Sequence, residues 1–256
     1  MQTATIEADG ATIEAFVVPW DTEIFGFPVA QVSRIEVGEG VEPRDLLRQF
    51  DDWCAERAVR LVSCRLDHTS LRESMTLEGL GFRFVEMVYE PHLDSLDQLA
   101  EPRRVVEVSE AGADDLERIE AIAHDAFVTG RYLLDWRLPA ELSKRRYATW
   151  VRNSFDDTAQ SVIKAEVDGE IVGFFIVERR TDGGVYWHLT AVAPGRQGQG
   201  IGLSLWQTML RRHRAEGATS VRTTISGHNS AAMNLYARLG FAFSAPQMTF
   251  HWLRDQ

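Results

Sequence analysis

The chain lacks the features that would place it outside the cell, in a membrane or on a polyanion. Two cysteines, Cys54 and Cys64, are too few to staple 256 residues and read as reduced thiols. Positive charge is short: Lys and Arg number 27 against 38 Asp and Glu, a formal charge of −11. That balance repels phosphate backbones and anionic lipid at long range, so neither nucleic acid nor a membrane is expected as partner. No stretch reaches the ~18 apolar residues of a membrane span. The opening MQTATIEADGATIEAF has neither a basic n-region nor an apolar h-region. The expectation is a soluble, cytoplasmic protein. Histidines 68, 92, 124, 188, 213, 228 and 251 form no close ligand pair with each other or with the cysteines, so no metal is expected. The Gly-x-Ser-x-Gly elbow of hydrolases and the lysine of a nucleoside-triphosphate loop are missing too.

What is present is ordinary globular material, 45% apolar and 25% charged, at a length that suits one large domain or two small ones. Proline marks the division. The stretch PHLDSLDQLAEPRR, with Pro91, Pro102 and few apolar anchors, reads as a connection between domains 1–100 and 104–256. In the second domain a helix starts near Asp114, with Leu116, Ile119, Ile122, Ala123 and Phe127 at helical spacing. Another starts near Ala140. The pattern then changes to strands: a hairpin turning at Asp168-Gly169, then GVYWHLTAVAP. A helix from about Gly200 to Glu216, the strand VRTTIS, the helix NSAAMNLYARLG and the strand PQMTFHWL follow. The segment 55–70 aligns with 215–230 at an offset of 160 (Ala55 to Ala215), and LGF recurs at 80–82 and 239–241. A helix–strand–helix–strand unit is therefore expected twice.

The residues best placed for chemistry lie between a strand and a helix, in Arg196-Gln197-Gly198-Gln199-Gly200-Ile201-Gly202. Alternate glycines let successive backbone N–H groups crowd an anion, and the helix N-terminus adds partial positive charge. Glycines at this spacing are equally compatible with a plain turn. The order of parts narrows the reading: hairpin, strand, Val192-Ala193-Pro194, Gln197-x-x-Gly200-x-Gly202, helix, strand, Asn229, Tyr236 and LGF.

Over residues 104–252 this ordered set resembles the GNAT family of N-acetyltransferases. The resemblance implies an α/β (α+β) fold with a central mixed, mostly antiparallel twisted sheet flanked by helices, preceded here by a degenerate, partial copy. It implies acetyl-CoA as acyl donor, direct transfer in a ternary complex and no metal. The pantetheine arm would pair with the strand backbone at Leu189, Thr190, Ala191 and Val192. The pyrophosphate would sit on Gln197, Gly198, Gln199, Gly200, Ile201 and Gly202. Asn229 would reach the arm, or serve only as a helix N-cap. Tyr236, seven residues on and on the same helix face, would protonate the departing thiolate, or simply pack in the core. His188, four residues before Val192 and by alternation on its face with Thr190, would deprotonate the amine, or be a structural histidine. Glu178 and Glu166 are weaker carboxylate candidates.

VPWDTEIFGFPVAQVSRIEV near the start and AFVTGRYLLDWRLPAELSKRRYATWVRNSF later resemble a two-part branch of that family. Its known members acetylate the 4-amino group of a nucleotide-linked 4-amino-4,6-dideoxy sugar, so a small-molecule amine, specifically a dTDP-amino sugar, is the implied acceptor. Arg131 and Tyr132, read as a loop between helices, would grip its phosphate, or Arg131 would pair with Asp135. Trp20, Phe25 and Phe27 suit a core role as well. The branch carries arginine just before its catalytic tyrosine, where this chain has Leu235. In the first copy the loop position reads VGEGVEPRD, whose Glu39 and Glu42 would repel a pyrophosphate; Leu77 matches Tyr236, and Thr69 or Ser70 matches Asn229. That half is expected to shape the acceptor site without binding CoA. An acceptor of another kind (aminoglycoside, polyamine, amino acid), a non-catalytic acyl-CoA sensor and a homodimer remain open.

Overall fold

The computed structural model describes residues 3–254. Two compact units emerge: one of residues up to Val88 together with those from Ala245 onward, the other Tyr89–Ser244.

The first unit opens with a hairpin, β1 (Ala4–Ala8) and β2 (Ala11–Val17), turned at Asp9-Gly10 with φ of 54° and 73°. Both central residues at positive φ match the twist of the flanking strands. There follow α1 (Pro19–Phe25), β3 (Val29–Val37), α2 (Arg44–Glu56), β4 (Leu61–Asp67), α3 (Leu71–Gly79) and β5 (Arg83–Tyr89). The unit is completed by the last strand of the chain, β14 (Gln247–Leu253), giving the order β1-β2-β3-β4-β14-β5. Leu46 and Phe50 of α2, Leu77 of α3, and Phe82 close over Ile13 and Phe250 of the sheet. Cys54 and Cys64 are free and buried in this core, and desolvation pushes both thiols up to about 12.

The second unit contains β6 (Pro91–Leu93), β7 (Glu107–Glu110), α4 (Leu116–Ala126), α5 (Arg131–Leu134) and α6 (Ala140–Asp156). It continues with β8 (Gln160–Val167), β9 (Glu170–Arg179), β10 (Val185–Val192), α7 (Ile201–Ala215), β11 (Val221–Thr223), β12 (Ile225–Ser226), α8 (Ser230–Arg238) and β13 (Ala242–Phe243). Its sheet runs β13-β6-β11-β10-β9-β8-β7, antiparallel throughout except for the parallel pair β10–β11. This is the mixed, mostly antiparallel sheet expected. β9 is buried on both faces: Phe175 packs with Leu205, Met209 and Trp206 of α7, and Phe174 and Ile176 pack with Ile119 and Ile122 of α4 and Val151 of α6. Among the described residues no helix is long and apolar enough to cross a membrane.

These boundaries differ from the sequence expectation at both ends. Residues 89–100 join the second unit because β6 lies between β11 and β13, and β14 joins the first because it pairs with both β4 and β5. The final strand of each half thus sits in the sheet of the other, and composition carries no trace of such pairing. The repeat itself is longer than its sequence signal and differently framed. The helix C-caps Arg57 and Glu216 stand 159 apart, as do the N-caps Ser70 and Asn229. The bonds Phe82 N–H to Leu77 O and Phe241 N–H to Tyr236 O repeat at the same spacing, and the hairpin turns at Asp9-Gly10 and Asp168-Gly169 extend it to the start of each copy. The identities at offset 160 are therefore one residue out of structural register.

His213 of α7 shows what the core of the second unit demands. It is 2% exposed, accepts from Trp187 Nε1 at 3.0 Å, and holds Nδ1 3.6 Å from Glu216. Burial lowers its pKa from 6.5 to about 4. An unfolded histidine takes up a proton on acidification through 6.5 while the folded one resists, so stability present above pH 6.5 is lost as pH falls toward 4. The loss attributable to this group is on the order of 3 kcal/mol. Thermal unfolding from pH 7 to 4 is expected to fall more steeply for the wild type than for His213→Gln, whose side-chain oxygen can still accept from Trp187. Parallel curves would remove His213 as the cause.

Candidate active site

The site begins with a strand that loses one neighbour. β10 pairs with β9 from Val185 to Val192, but with β11 only at Val185, Tyr186 and Trp187. Thr223 Oγ1 donates to Trp187 O at 2.8 Å and ends the parallel pairing. From Leu189 to Val192 the backbone on that side meets no strand of its sheet, leaving peptide groups to pair with something else. Gly173 keeps β9 close behind this edge, since a Cβ there would lie 2.6 Å from Ala191 O.

A bulge corrects the expected face of His188. The register slips between Trp187 and Leu189, so His188 is an extra residue on β10. Before the slip Val185 and Trp187 face the α7 side; after it Leu189 and Ala191 pack with α4 and α6, while Val192 packs on the α7 side. His188 therefore does not share a face with Thr190 and Val192. It lies beside Tyr186 (ring centroids 4.9 Å) and Trp150 of α6 (6.3 Å), with Nε2 2.8 Å from Glu178 Oε2. Glu166 is held by Lys164 at 3.3 Å and takes no part.

The strand runs into the glycine loop and α7. Gly198 and Gly200 adopt φ of 74° and 77°, and a Cβ on either would meet nothing within 4 Å, so the main chain there is approachable. The N–H groups of Gly198, Gln199 and Gly200 donate to no carbonyl among the described residues, and the first turn of α7 adds its own free donors. Gln197 and Gln199 brace the loop instead of reaching outward: their amides donate to Val192 O (3.1 Å) and Gly195 O (3.0 Å). Arg196 is bound to Glu170, and Ile201 anchors the helix start in the core.

Asn229 caps α8, its Oδ1 accepting from Ala232 N–H at 3.0 Å. Tyr236 is 1% exposed, against Phe241 (5.0 Å) and Trp187 (6.5 Å). Its hydroxyl and the nearby Trp206 Nε1 form no well-aligned hydrogen bond among the described residues, although Trp206, Thr190 and Thr223 all approach the hydroxyl. Desolvation raises the phenol's pKa above its usual 10; Trp206, Thr190 and Thr223 act in the opposite sense without overcoming it. The phenol stays protonated at neutral pH. Trp206 and Thr223 were not singled out in the sequence, where they read as core and strand.

Arg131 and Tyr132 lie on the one-turn helix α5, not in a loop. Tyr132 is 1% exposed, so it supports the surface instead of forming it. Arg131 donates to Tyr132 Oη at 3.0 Å and stacks on its ring, which Arg146 also approaches at 5.0 Å. Asp135 engages Arg137 at 2.8 Å, and Arg131 forms no ion pair among the described residues. Nor does any group of three or more His, Cys, Asp or Glu there have the placement of a metal site.

The first unit follows the same path with its donors already used. Its β3 pairs with β4 only from Val29 to Val32. Beyond that, Glu73 accepts from Val37 N–H (3.3 Å) and Arg72 donates to Val37 O (3.2 Å). At the start of α2 the carboxylate of Asp9 accepts from Asp45 N–H at 2.8 Å, and Gly38 packs on Gly10 O. An internal carboxylate stands where the second unit offers free amides. The donor set of the second unit fits a diphosphate followed by an amide-bearing arm: unpaired N–H groups at a helix mouth, an unpaired strand edge, and a buried hydroxyl beside it.

Comparison with known proteins agrees. Residues 122–241 match the acetyltransferase (GNAT) family. The chain is 29% identical to dTDP-fucosamine acetyltransferase of Escherichia coli O6:H1, over 75% of this chain and 80% of that one. It is 30% identical to the L-methionine sulfoximine/L-methionine sulfone acetyltransferase of Pseudomonas aeruginosa, over 54% and 80%. Other curated relatives are matched over less of their length: the match to spore coat polysaccharide biosynthesis protein SpsD of Bacillus subtilis, at 28% identity, spans 54% of this chain and 47% of that one. Among solved structures, a tandem GNAT protein from the clavulanic acid biosynthesis pathway superposes with a TM-score of 0.60 at 13% identity, covering 99% of this chain and 84% of that one. Titration calorimetry with CoA is expected to give one site per chain; two equivalent sites would overturn the account of the first unit.

Proposed function

The chain belongs to the GNAT family of acetyltransferases, and from that premise we propose that it transfers the acetyl group of acetyl-CoA to the primary amine of a nucleotide-linked amino-deoxy sugar in a direct ternary complex. The observation that carries the reading is the free edge of β10 leading into the glycine mouth of α7, with the Tyr236 hydroxyl buried beside Thr190 of that edge. Acetyl-CoA supplies the activated thioester. The amides of Gly198, Gln199 and Gly200 and the first turn of α7 hold its diphosphate, and residues 189–192 orient its arm. Peptide N–H groups on that edge offset negative charge developing on the thioester oxygen. Tyr236 holds a proton for the departing sulfur from the α7 side, and His188 removes a proton from the acceptor's ammonium from the α6 side. Arg131, which pairs with no carboxylate among the described residues, meets the acceptor's phosphate. A second reading, an amino-acid amine as acceptor, is favoured by the Pseudomonas relative, which is named for two amino-acid derivatives.

Thiol release from acetyl-CoA over a panel of dTDP-amino sugars, amino acids and aminoglycosides tests both. A dTDP-amino sugar is expected to be turned over with the highest kcat/KM. Tyr236→Phe is expected to lower kcat about 100-fold, within the usual range for a lost general acid, without weakening CoA binding. A wild type that binds CoA yet acetylates no amine faster than buffer would make the protein an acyl-CoA sensor. Arg131→Ala is expected to raise the KM of a phosphate-bearing acceptor about tenfold, the worth of one charge-assisted contact, and to leave that of acetyl-CoA unchanged. Equal effects on both would move Arg131 out of the acceptor site.

A further inference from the structure

We infer that Glu178 is a positioning residue that fixes the tautomer of His188, so that Nδ1, and not Nε2, is the atom that accepts the acceptor's proton. The inference deepens the acyltransfer reading and rests on it for the word base, but the pair itself is a matter of geometry. An ionised carboxylate has lone pairs and no proton to give, so the 2.8 Å contact between Glu178 Oε2 and His188 Nε2 requires the proton on Nε2. In the neutral ring the lone pair then belongs to Nδ1. Glu178 has no lysine or arginine partner among the described residues, so its charge is committed to the imidazole.

Three elements hold the ring in this pose. β10 places His188 two residues after Tyr186, the partner of Glu178 on β9, so the imidazole lies on the face that carries Glu178. Tyr186 packs its edge on the imidazole at 4.9 Å and is itself held by a 2.5 Å hydrogen bond between its hydroxyl and Thr224 Oγ1. Trp150 of α6 approaches from the remaining side at 6.3 Å. The His188 side chain is 20% exposed, enough for one ring edge to meet an incoming amine. In the step, an N–H bond of the acceptor's ammonium breaks and an Nδ1–H bond forms. The amine keeps the electron pair for attack, the imidazolium charge is met by Glu178, and the proton later leaves to solvent.

The test combines long-range 1H–15N NMR on histidine-labelled protein with kinetics. The wild type is expected to show the Nε2–H tautomer of His188, and Glu178→Ala a mixture of the two. The same variant is expected to lose at least about tenfold in kcat at unchanged acetyl-CoA KM, a part of what a whole general base contributes. Glu178→Gln, whose Oε1 can still accept from Nε2–H, should restore the tautomer and part of the rate; it also serves if the alanine variant does not fold. An Nδ1–H tautomer in the wild type, or full kcat in Glu178→Ala, overturns the proposal. A wild type with no acetyltransferase activity but the Nε2–H tautomer would instead sink the acyltransfer reading, and with it the role of base, while leaving the pairing established.

Discussion

The parallel pairing of β10 with β11 ends at Trp187, and the site follows from that ending. Trp187 is fully buried, with Phe175 against one side and His213, Tyr236 and Phe241 around it, so the strand cannot shift there. Its carbonyl is taken by Thr223. One residue later the chain bulges, and the following four residues pair with a strand on the β9 side alone. A half-paired strand inside a sheet is unfavourable unless another backbone-like partner completes it. The amide-bearing arm of a cofactor is such a partner, and the start of α7 lies where the arm's anionic end would arrive. The bulge has a second consequence. By shifting the alternation after His188, it puts Thr190 and Val192 on the α7 side with Tyr236, opposite His188 and Glu178 on the α6 side.

The two units show what separates a scaffold from a site. Both pass through strand, loop, helix, strand and helix with the same caps at the same spacing, and both contain a parallel strand pair that separates early. In the first unit the end of that strand and the helix start are met from within: a carboxylate at the helix N-terminus, an arginine and a glutamate on Val37, a leucine at the position of the tyrosine. The internal partners stabilise the first unit by removing its capacity for a ligand. In the second unit the N–H groups of Gly198, Gln199 and Gly200 donate to no carbonyl among the described residues.

How much of this could be read from the sequence divides along locality. The hairpin at Asp168-Gly169, the glycine mouth, the Asn229 cap and the buried Tyr236 depend on neighbours in the chain, and each stands where the sequence put it. Non-local pairing was not legible. Nothing in PQMTFHWL says that it pairs with strands 61–67 and 83–89, so the domain boundary was drawn at a proline-containing stretch instead. The face of His188 was missed because alternation assumes an unbroken strand, and a bulge adds one residue with no compositional mark. The offset of 160 was an error of the same size: identities such as Ala58 and Ala218 align well, yet Ala58, at φ 50°, occupies the helix-end position of Gly217, at φ 85°. Tyr132 was read as a contact because an aromatic beside arginine in polar surroundings resembles a surface; its burial came from the packing of α5 on α6.

Tyr236 brings these strands of reasoning together. A hydroxyl buried without a well-formed hydrogen bond costs up to about 1–3 kcal/mol relative to one that is satisfied. A core selected for stability alone would replace such a phenol by phenylalanine, which fills the same space between Trp187 and Phe241; in the first unit the position is Leu77, fully buried and apolar. The hydroxyl makes sense where a group that is not part of the chain comes to lie against it. Burial keeps the phenol neutral, because desolvation raises its pKa above the usual 10; in the transfer proposed above it is therefore an uncharged hydrogen-bond donor beside the sulfur.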